Sequence, residues 1–282
     1  MAFYVFCDRK TAKCKTEIHL SFFISIDLKI EMTGIPLFLR QSGPTLGCWM
    51  RDSVLANNYY VTNDYYGRYV YEYSSSQNFE SAQIDRTHDL RHHYYYGNSH
   101  AVYNRSLYYQ RAGENTIARF DFALGDIDTY ERIQGASYND SNYLYSGSRI
   151  YFDIEIDENG MWIIYRKPND LNSTYITKID PLYMKKVKTW RIDVNSSKYG
   201  NGFIAHGVLY LIKDNLVERT TIEFAYDLYE DKRFNVKVKE FINPYRYNTM
   251  INYFPRSNPK YSRLLSWDNG VQLEYQLLFK RY

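Results

Sequence analysis

One unit returns along this chain: a short aromatic strand, a polar loop, then a second strand that often ends in aspartate. It reads "SLYYQ" then "TIARFD" (Ser106 to Asp121), "MWIIY" then "TYITKID" (Met161 to Asp180), and "VLYLI" then "TTIEFAYD" (Val208 to Asp227). A further copy is "LLSWDNG" then "VQLEYQ", and an earlier, looser one is "YYVTND" then "RYVYEY". Anchored at Tyr60, Leu107, Trp162, Leu209 and Leu265, the copies are spaced by 47, 55, 47 and 56 residues. A period of roughly 50 residues, with several short strands per unit, is the signature of a propeller blade. Five units fill the chain from about residue 28 to its end. The expected architecture is all-β, a five-bladed β-propeller over residues 33–282, preceded by a segment, 1–32, with no assigned structure. A two-sheet sandwich is the rival, and it does not account for so long a period.

The 282 residues suffice for one large all-β domain, and 45% of them are hydrophobic, enough for a sizeable core. The 32 tyrosines suit strands and half-buried sheet surfaces. Net charge is only +3, with Lys and Arg mixed among Asp and Glu, so no basic stripe marks a nucleic-acid or anionic-lipid surface. No apolar run is long enough to span a bilayer, and membrane insertion is not expected. Leu20 to Ile26, "LSFFISI", follows Lys10, Lys13 and Lys15 in the manner of a signal peptide, but it lacks a small-residue cleavage site and runs straight into Asp27 and Lys29. It reads as a strand. Cys7, Cys14 and Cys48 are odd in number and have no metal-type spacing; Cys7 with Cys14 is one open pairing. Four sequons, at Asn104, Asn139, Asn172 and Asn195, point to a secreted glycoprotein.

A set of motifs, in order, resembles the olfactomedin domain: "CWMRD" (Cys48 to Asp52), "YVTNDYYGRYVYEY", "HAVYNRSLYYQ", "DIEIDENGMWIIY", "TKIDP", "KTW", "GNGFIAHGVLY", "EFAYD", "YNTMINYFP" and "LLSWDNG". The match runs from about Thr33 to Phe279, and the tyrosine-rich early motif looks most like the gliomedin and colmedin branch. The resemblance implies a five-bladed propeller and a non-enzymatic, extracellular adhesion or matrix module that binds an extracellular or cell-surface protein, in matrix organisation, cell adhesion or synaptic and neuromuscular signalling. It also implies oligomerisation through upstream coiled-coil or collagen segments, which are not in this sequence.

The stretch "YFDIEIDENGMWIIY" alternates as a strand, with Phe152, Ile154 and Ile156 on one face and Asp153, Glu155 and Asp157 on the other. The apolar face suits the core between blades. By resemblance, Asp153 lies in the central channel and binds calcium, together with the side chain of Asn201, the backbone carbonyls of Gly202 and Ile251, and the side chain of Asn252. Calcium accepts carboxylate, amide and carbonyl oxygens alike. In the family the last position is an aspartate, so Asn252 leaves the set with one formal negative charge instead of two, and affinity falls with ligand charge. A polar plug without metal is the alternative. "DENG" reads as turn chemistry, which would leave Asp157 and Glu158 in solvent.

The resemblance also implies a disulfide where this chain has Asp27 and His206, either facing as an ion pair or with His206 filling the cysteine's space. His88, His92 and His93 in "HDLRHH" have the spacing of zinc ligands on a helix, but the surroundings read as strand and loop, with no third ligand nearby. No GxSxG, P-loop or HExxH motif is present. Three functions are separable. A glycoside hydrolase needs two converging acids in an open pocket, and only Asp153 is placed in the channel. A lectin needs exposed aromatics ringed by polar groups. An interaction module needs neither and is favoured, with loops such as 74–92 and 139–148 as binding surfaces.

Overall fold

The computed structural model describes residues 4–7, 14–17, 28–55, 57–236 and 240–281. Blade 1 is an antiparallel sheet of Gly47–Arg51, Tyr59–Asn63, Tyr69–Tyr73 and Arg86–Asp89. Blade 2 is Tyr95–Tyr103, Ser106–Arg111, Thr116–Asp121 and Asp126–Arg132, and blade 3 is Phe152–Asp157, Gly160–Lys167, Asp170–Asp180 and Lys185–Ile192. Blade 4 is Asn201–Ala205, Val208–Ile212, Ile222–Asp227 and Lys232–Phe234. Blade 5 is Asn248–Phe254, Arg263–Asp268 and Val271–Arg281, completed by Leu28–Thr33 from the other end of the chain. The chain is a five-bladed β-propeller. We label the five innermost strands β1 (Gly47–Arg51), β2 (Tyr95–Tyr103), β3 (Phe152–Asp157), β4 (Asn201–Ala205) and β5 (Asn248–Phe254).

The five anchors of the sequence repeat all fall in the second strand of a blade. Tyr60, Leu107, Trp162, Leu209 and Leu265 are all buried there. Apolar character falls from axis to rim. Every residue of β3 and of Val208–Ile212 is buried, because each blade packs on both faces against neighbours. The outer strand Lys185–Ile192 exposes six of its eight residues and carries four of its five leading positions as Lys, Lys, Lys and Thr around Val187. Aromatic and aliphatic clusters fill the junctions between blades, one of them joining blades 5, 1 and 2 around Trp49 and Trp267.

The aspartates that end the repeated third strands have a local job. The Asp121 carboxylate accepts from the N–H groups of Ala123 and Leu124 at 2.7 and 2.8 Å, Asp180 from Leu182 and Tyr183 at 2.8 and 3.1 Å, and Asp227 from Tyr229 and Glu230 at 3.0 and 2.9 Å. Each caps the turn into the outer strand as an Asx-type turn. Asp180→Ala should therefore lower stability by about 1 kcal/mol, the usual worth of such a cap. A urea midpoint unchanged by that substitution would show the cap to be idle.

Two other aspartates tie blade to blade. Asp52, just past β1, accepts from Val54 and Leu55 in its own loop and from Asn104 and Arg105 in the first turn of blade 2. Asp157, at the end of β3, accepts from Gly207 N at 2.6 Å, in the first turn of blade 4. Ring closure is by strand pairing. Val271–Arg281 pairs antiparallel with Leu28–Thr33 along its second half and with Leu37–Gln41 along its first. Residues 28–32, which the sequence reading places in the N-terminal segment, are thus part of blade 5. Tyr4–Cys7 and Cys14–Glu17 form a separate two-stranded ribbon with Cys7 opposite Cys14 in register. Leu20 to Ile26 and Asp27 lie outside the described residues.

Candidate metal centre

Strands β2, β3, β4 and β5 converge on the axis, and there the sequence places polar side chains in a position otherwise surrounded by core. Asp153 is 1% exposed. Its Oδ1 accepts from the Ser99 hydroxyl of β2, and its Oδ2 accepts from the Tyr145 hydroxyl at 2.6 Å. Ser99 Oγ also receives Ile154 N at 3.2 Å, so the hydroxyl fixes both the carboxylate and its strand. Asn201 and Gly202 begin β4; Asn201 Oδ1 accepts from Gly202 N at 2.8 Å. A Cβ at Gly202 would stand 2.8 Å from Tyr145 Oη and 2.7 Å from Leu211, so the backbone approaches the cluster more closely than a side chain would permit. Asn252 of β5 donates through Nδ2 to the carbonyls of His100 (2.9 Å) and Ile154 (3.3 Å). Asp153 thus lies on the inner strand of blade 3, Asn201 and Gly202 on that of blade 4, and Ile251 and Asn252 on that of blade 5.

Glu155 belongs to the same cluster. It is fully buried, two residues from Asp153 on the same strand face, so the two carboxyls are close neighbours. Its Oε2 accepts from Tyr253 N of β5 at 3.0 Å. Burial pushes both carboxyls above the usual carboxylate range; the hydroxyls of Ser99 and Tyr145 oppose this at Asp153, whereas the neighbouring Asp153 charge adds to it at Glu155. The channel thus holds two acids, where the sequence reading placed one. Among the described residues, Glu155 Oε1 and Asn252 Oδ1 have no hydrogen-bond partner. Both are acceptors, so what they lack is a donor or a cation. On that chemistry the donor set fits a hard cation such as calcium.

The expected solvation of Asp157 is corrected. It is 4% exposed, and besides Gly207 N it accepts from Trp162 Nε1 at 2.8 Å and Asn159 N at 2.7 Å. The turn chemistry of "DENG" does close the hairpin from β3 to Gly160–Lys167, but the neighbouring blade covers its first residue. Glu158 is engaged as well, by Tyr253 Oη at 2.5 Å and His206 Nδ1 at 3.3 Å.

A sequence model of the olfactomedin-like domain matches residues 25–282. The chain belongs to the olfactomedin-like domain family. It is 28% identical to rat (Rattus norvegicus) myocilin over 254 residues, covering 86% of this chain and 49% of that protein. It is 30% identical to cat (Felis catus) myocilin over 260 residues, covering 88% and 52%. The chain spans about half the length of the curated relatives it matches. Among solved structures it is similar to Myxococcus xanthus glutaminyl cyclase, with a TM-score of 0.49 at 12% identity over 90% of this chain and 100% of that one. Kuenenia stuttgartiensis hydrazine synthase follows, with a TM-score of 0.45 at 13% identity over 82% and 57%. At these scores neither likeness carries a functional argument.

Other candidates take their places within this olfactomedin-like domain. His206 sits at a left-handed turn (φ 52°) between β4 and the next strand, with its ring edge-on to Phe279 at 4.7 Å, so its described partners are Glu158 and the closing strand. His88 is held by Glu72 at 2.7 Å on a strand, not a helix, while the His92 and His93 rings lie 3.9 Å apart. Asn104 and Asn139 are exposed at left-handed turns, and Asn172 is exposed on a strand. Asn195 is half-buried, with its Oδ1 tied to Ser197 N and Oγ. Cys48 is a buried free thiol, its pKa raised by that burial. The loop at 74–92 is partly regular, holding the helix Ser76–Glu80 and the strand Arg86–Asp89. The loop at 139–148 sends Tyr145 inward to Asp153. Among the described residues, no helix is long and apolar enough to cross a membrane.

Proposed function

We propose that this olfactomedin-like domain is an extracellular protein-interaction module in matrix organisation, cell adhesion or synaptic signalling, with a calcium ion on the propeller axis as a structural element. Its tyrosine-rich blade 1 supports placement in the gliomedin and colmedin branch, and its accessible sequons at Asn104, Asn139 and Asn172 support passage through the secretory pathway. The observation that carries the module reading over an enzyme is the sealing of the acidic pair. Asp153 and Glu155 are 1% and 0% exposed and close neighbours on one strand face, whereas a glycosidase holds its two carboxyls apart, flanking an accessible bond. Neither acid lines the cavity bordered by Ser53, His100 and Asn252, so that opening does not reach the pair.

When bound, calcium supplies compensating charge for buried oxygens. The residues to hold it are Asp153, Asn201 and Asn252 through side chains and Gly202 and Ile251 through carbonyls. Together they would tie blades 3, 4 and 5. Calorimetric titration of the purified domain is expected to show calcium binding that Asp153→Ala abolishes; equal binding in that variant would refute the assignment. The interaction role is tested by proximity labelling with the secreted domain on intact cells, where labelling no stronger than with an unrelated secreted propeller would count against it.

A further inference from the structure

The ligand set drawn above has one carboxylate, Asp153, because position 252 is an amide. Yet the cluster is not short of charge. Glu155 stands two residues along the same strand, fully buried, with its side chain spanning from blade 3 to the backbone of blade 5. Its Oε2 takes Tyr253 N at 3.0 Å, while Oε1 has no hydrogen-bond partner among the described residues. Asn252, adjacent to Tyr253, shows the complementary state. Its Nδ2 is committed to two carbonyls, which fixes the amide's orientation and leaves Oδ1 without a donor. Two oxygens on facing inner strands are thus buried and unpartnered, and a buried acceptor in that condition is costly. Two neighbouring carboxyls repel when ionised, unless positive charge lies between or beside them.

We propose that Glu155 is a direct ligand of the channel cation and supplies, from blade 3, the second negative charge that Asn252 does not supply from blade 5. This rests on the channel-cation reading. It makes the site one of ordinary charge in an altered arrangement, with both carboxylates on one strand, rather than a weakened one.

The test is calcium titration by calorimetry, with thermal melts in chelator and in calcium, on four chains: the parent, Asp153→Ala, Glu155→Gln, and the double variant Glu155→Gln/Asn252→Asp. Glu155→Gln keeps the shape and removes the charge, and it should weaken calcium binding by about tenfold or more. The double variant returns a carboxylate from the facing blade and should bind within a few-fold of the parent, a rescue that a purely structural role for Glu155 would not give. Parent-like affinity in Glu155→Gln overturns the proposal, and the loss of binding in Asp153→Ala would then leave the channel site itself intact. Weakened binding without rescue also overturns it, since Glu155 would then serve the fold and not the ion. No binding by the parent removes the channel-cation reading and this proposal with it. Should Glu155→Gln not fold alone, the double variant against Asn252→Asp reads the same charge relocation: equal affinities in those two overturn it.

Discussion

Trp49→Ala is expected to cost about 3–5 kcal/mol of stability, the range for deleting a fully buried large aromatic. Trp49 is 0% exposed on the inner strand of blade 1. Its indole N–H donates to the Ser266 carbonyl of blade 5 at 2.8 Å, and its ring stacks on Phe79 at 5.2 Å and Tyr59 at 6.4 Å. Trp267 answers from blade 5, donating to the Thr45 carbonyl at 3.1 Å. It occupies the space beside Gly47, where a Cβ would stand 2.5 Å from the ring. The pair fills the junction between the first and last blades, so truncation opens a cavity and removes the indole donor from the Ser266 carbonyl at the place where the ring closes. Urea unfolding followed by circular dichroism measures the loss. A loss below about 1 kcal/mol would show that this junction can collapse around the deletion.

The second large effect is expected at Asp52. Its fully buried carboxylate receives four backbone N–H groups, at 2.8, 3.1, 3.0 and 2.7 Å from Val54, Leu55, Asn104 and Arg105. The last two belong to a tight turn with both residues in the left-handed region, φ 48° and 62°, a conformation that needs outside support in non-glycine residues. Hydrogen bonds to a charged acceptor are worth about 1.5–3 kcal/mol each, and all four donors belong to exposed residues, so solvent recovers part of that. Asp52→Ala should therefore cost about 3 kcal/mol or more, and Asp52→Asn less, because an amide oxygen still serves one side of the cluster. The order Ala below Asn below parent in urea midpoint is the result to look for. Equal midpoints for Asn and Ala would mean that shape, not acceptance, holds the turn.

Much of this was legible in the sequence. The five repeat anchors mark the second strands because that strand is buried on both faces in every blade and so keeps an aromatic or aliphatic residue there. The family motifs singled out Asp153, Asn201, Gly202, Ile251 and Asn252, which lie on three inner strands. Glu155 was visible as a same-face neighbour of Asp153, but strand periodicity alone does not say that a polar face is turned to the axis and not to water. Asp157 was read as a turn residue, and locally it is one. Its burial comes from Gly207 of the next blade, some 50 residues on, which no local pattern reports. Ser99 and Tyr145 carry no signal of their own; they matter because the ring brings two other segments against Asp153.

Closure by strand pairing has a consequence for how the domain is made. Leu28 pairs with Arg281 and Thr33 with Leu277, so within this domain the outer strand of blade 5 is made before all five inner strands and its partner after them. Until then Leu28–Thr33 is an unpaired edge, with Met32, Ile35, Leu37 and Phe38 exposed even in the finished fold. Contacts of such sequence separation form slowly, and a waiting apolar strand invites pairing with another nascent chain. Yield of this domain from cells should thus be governed by the interval between its first and last strands, and by whatever shields the first while it waits.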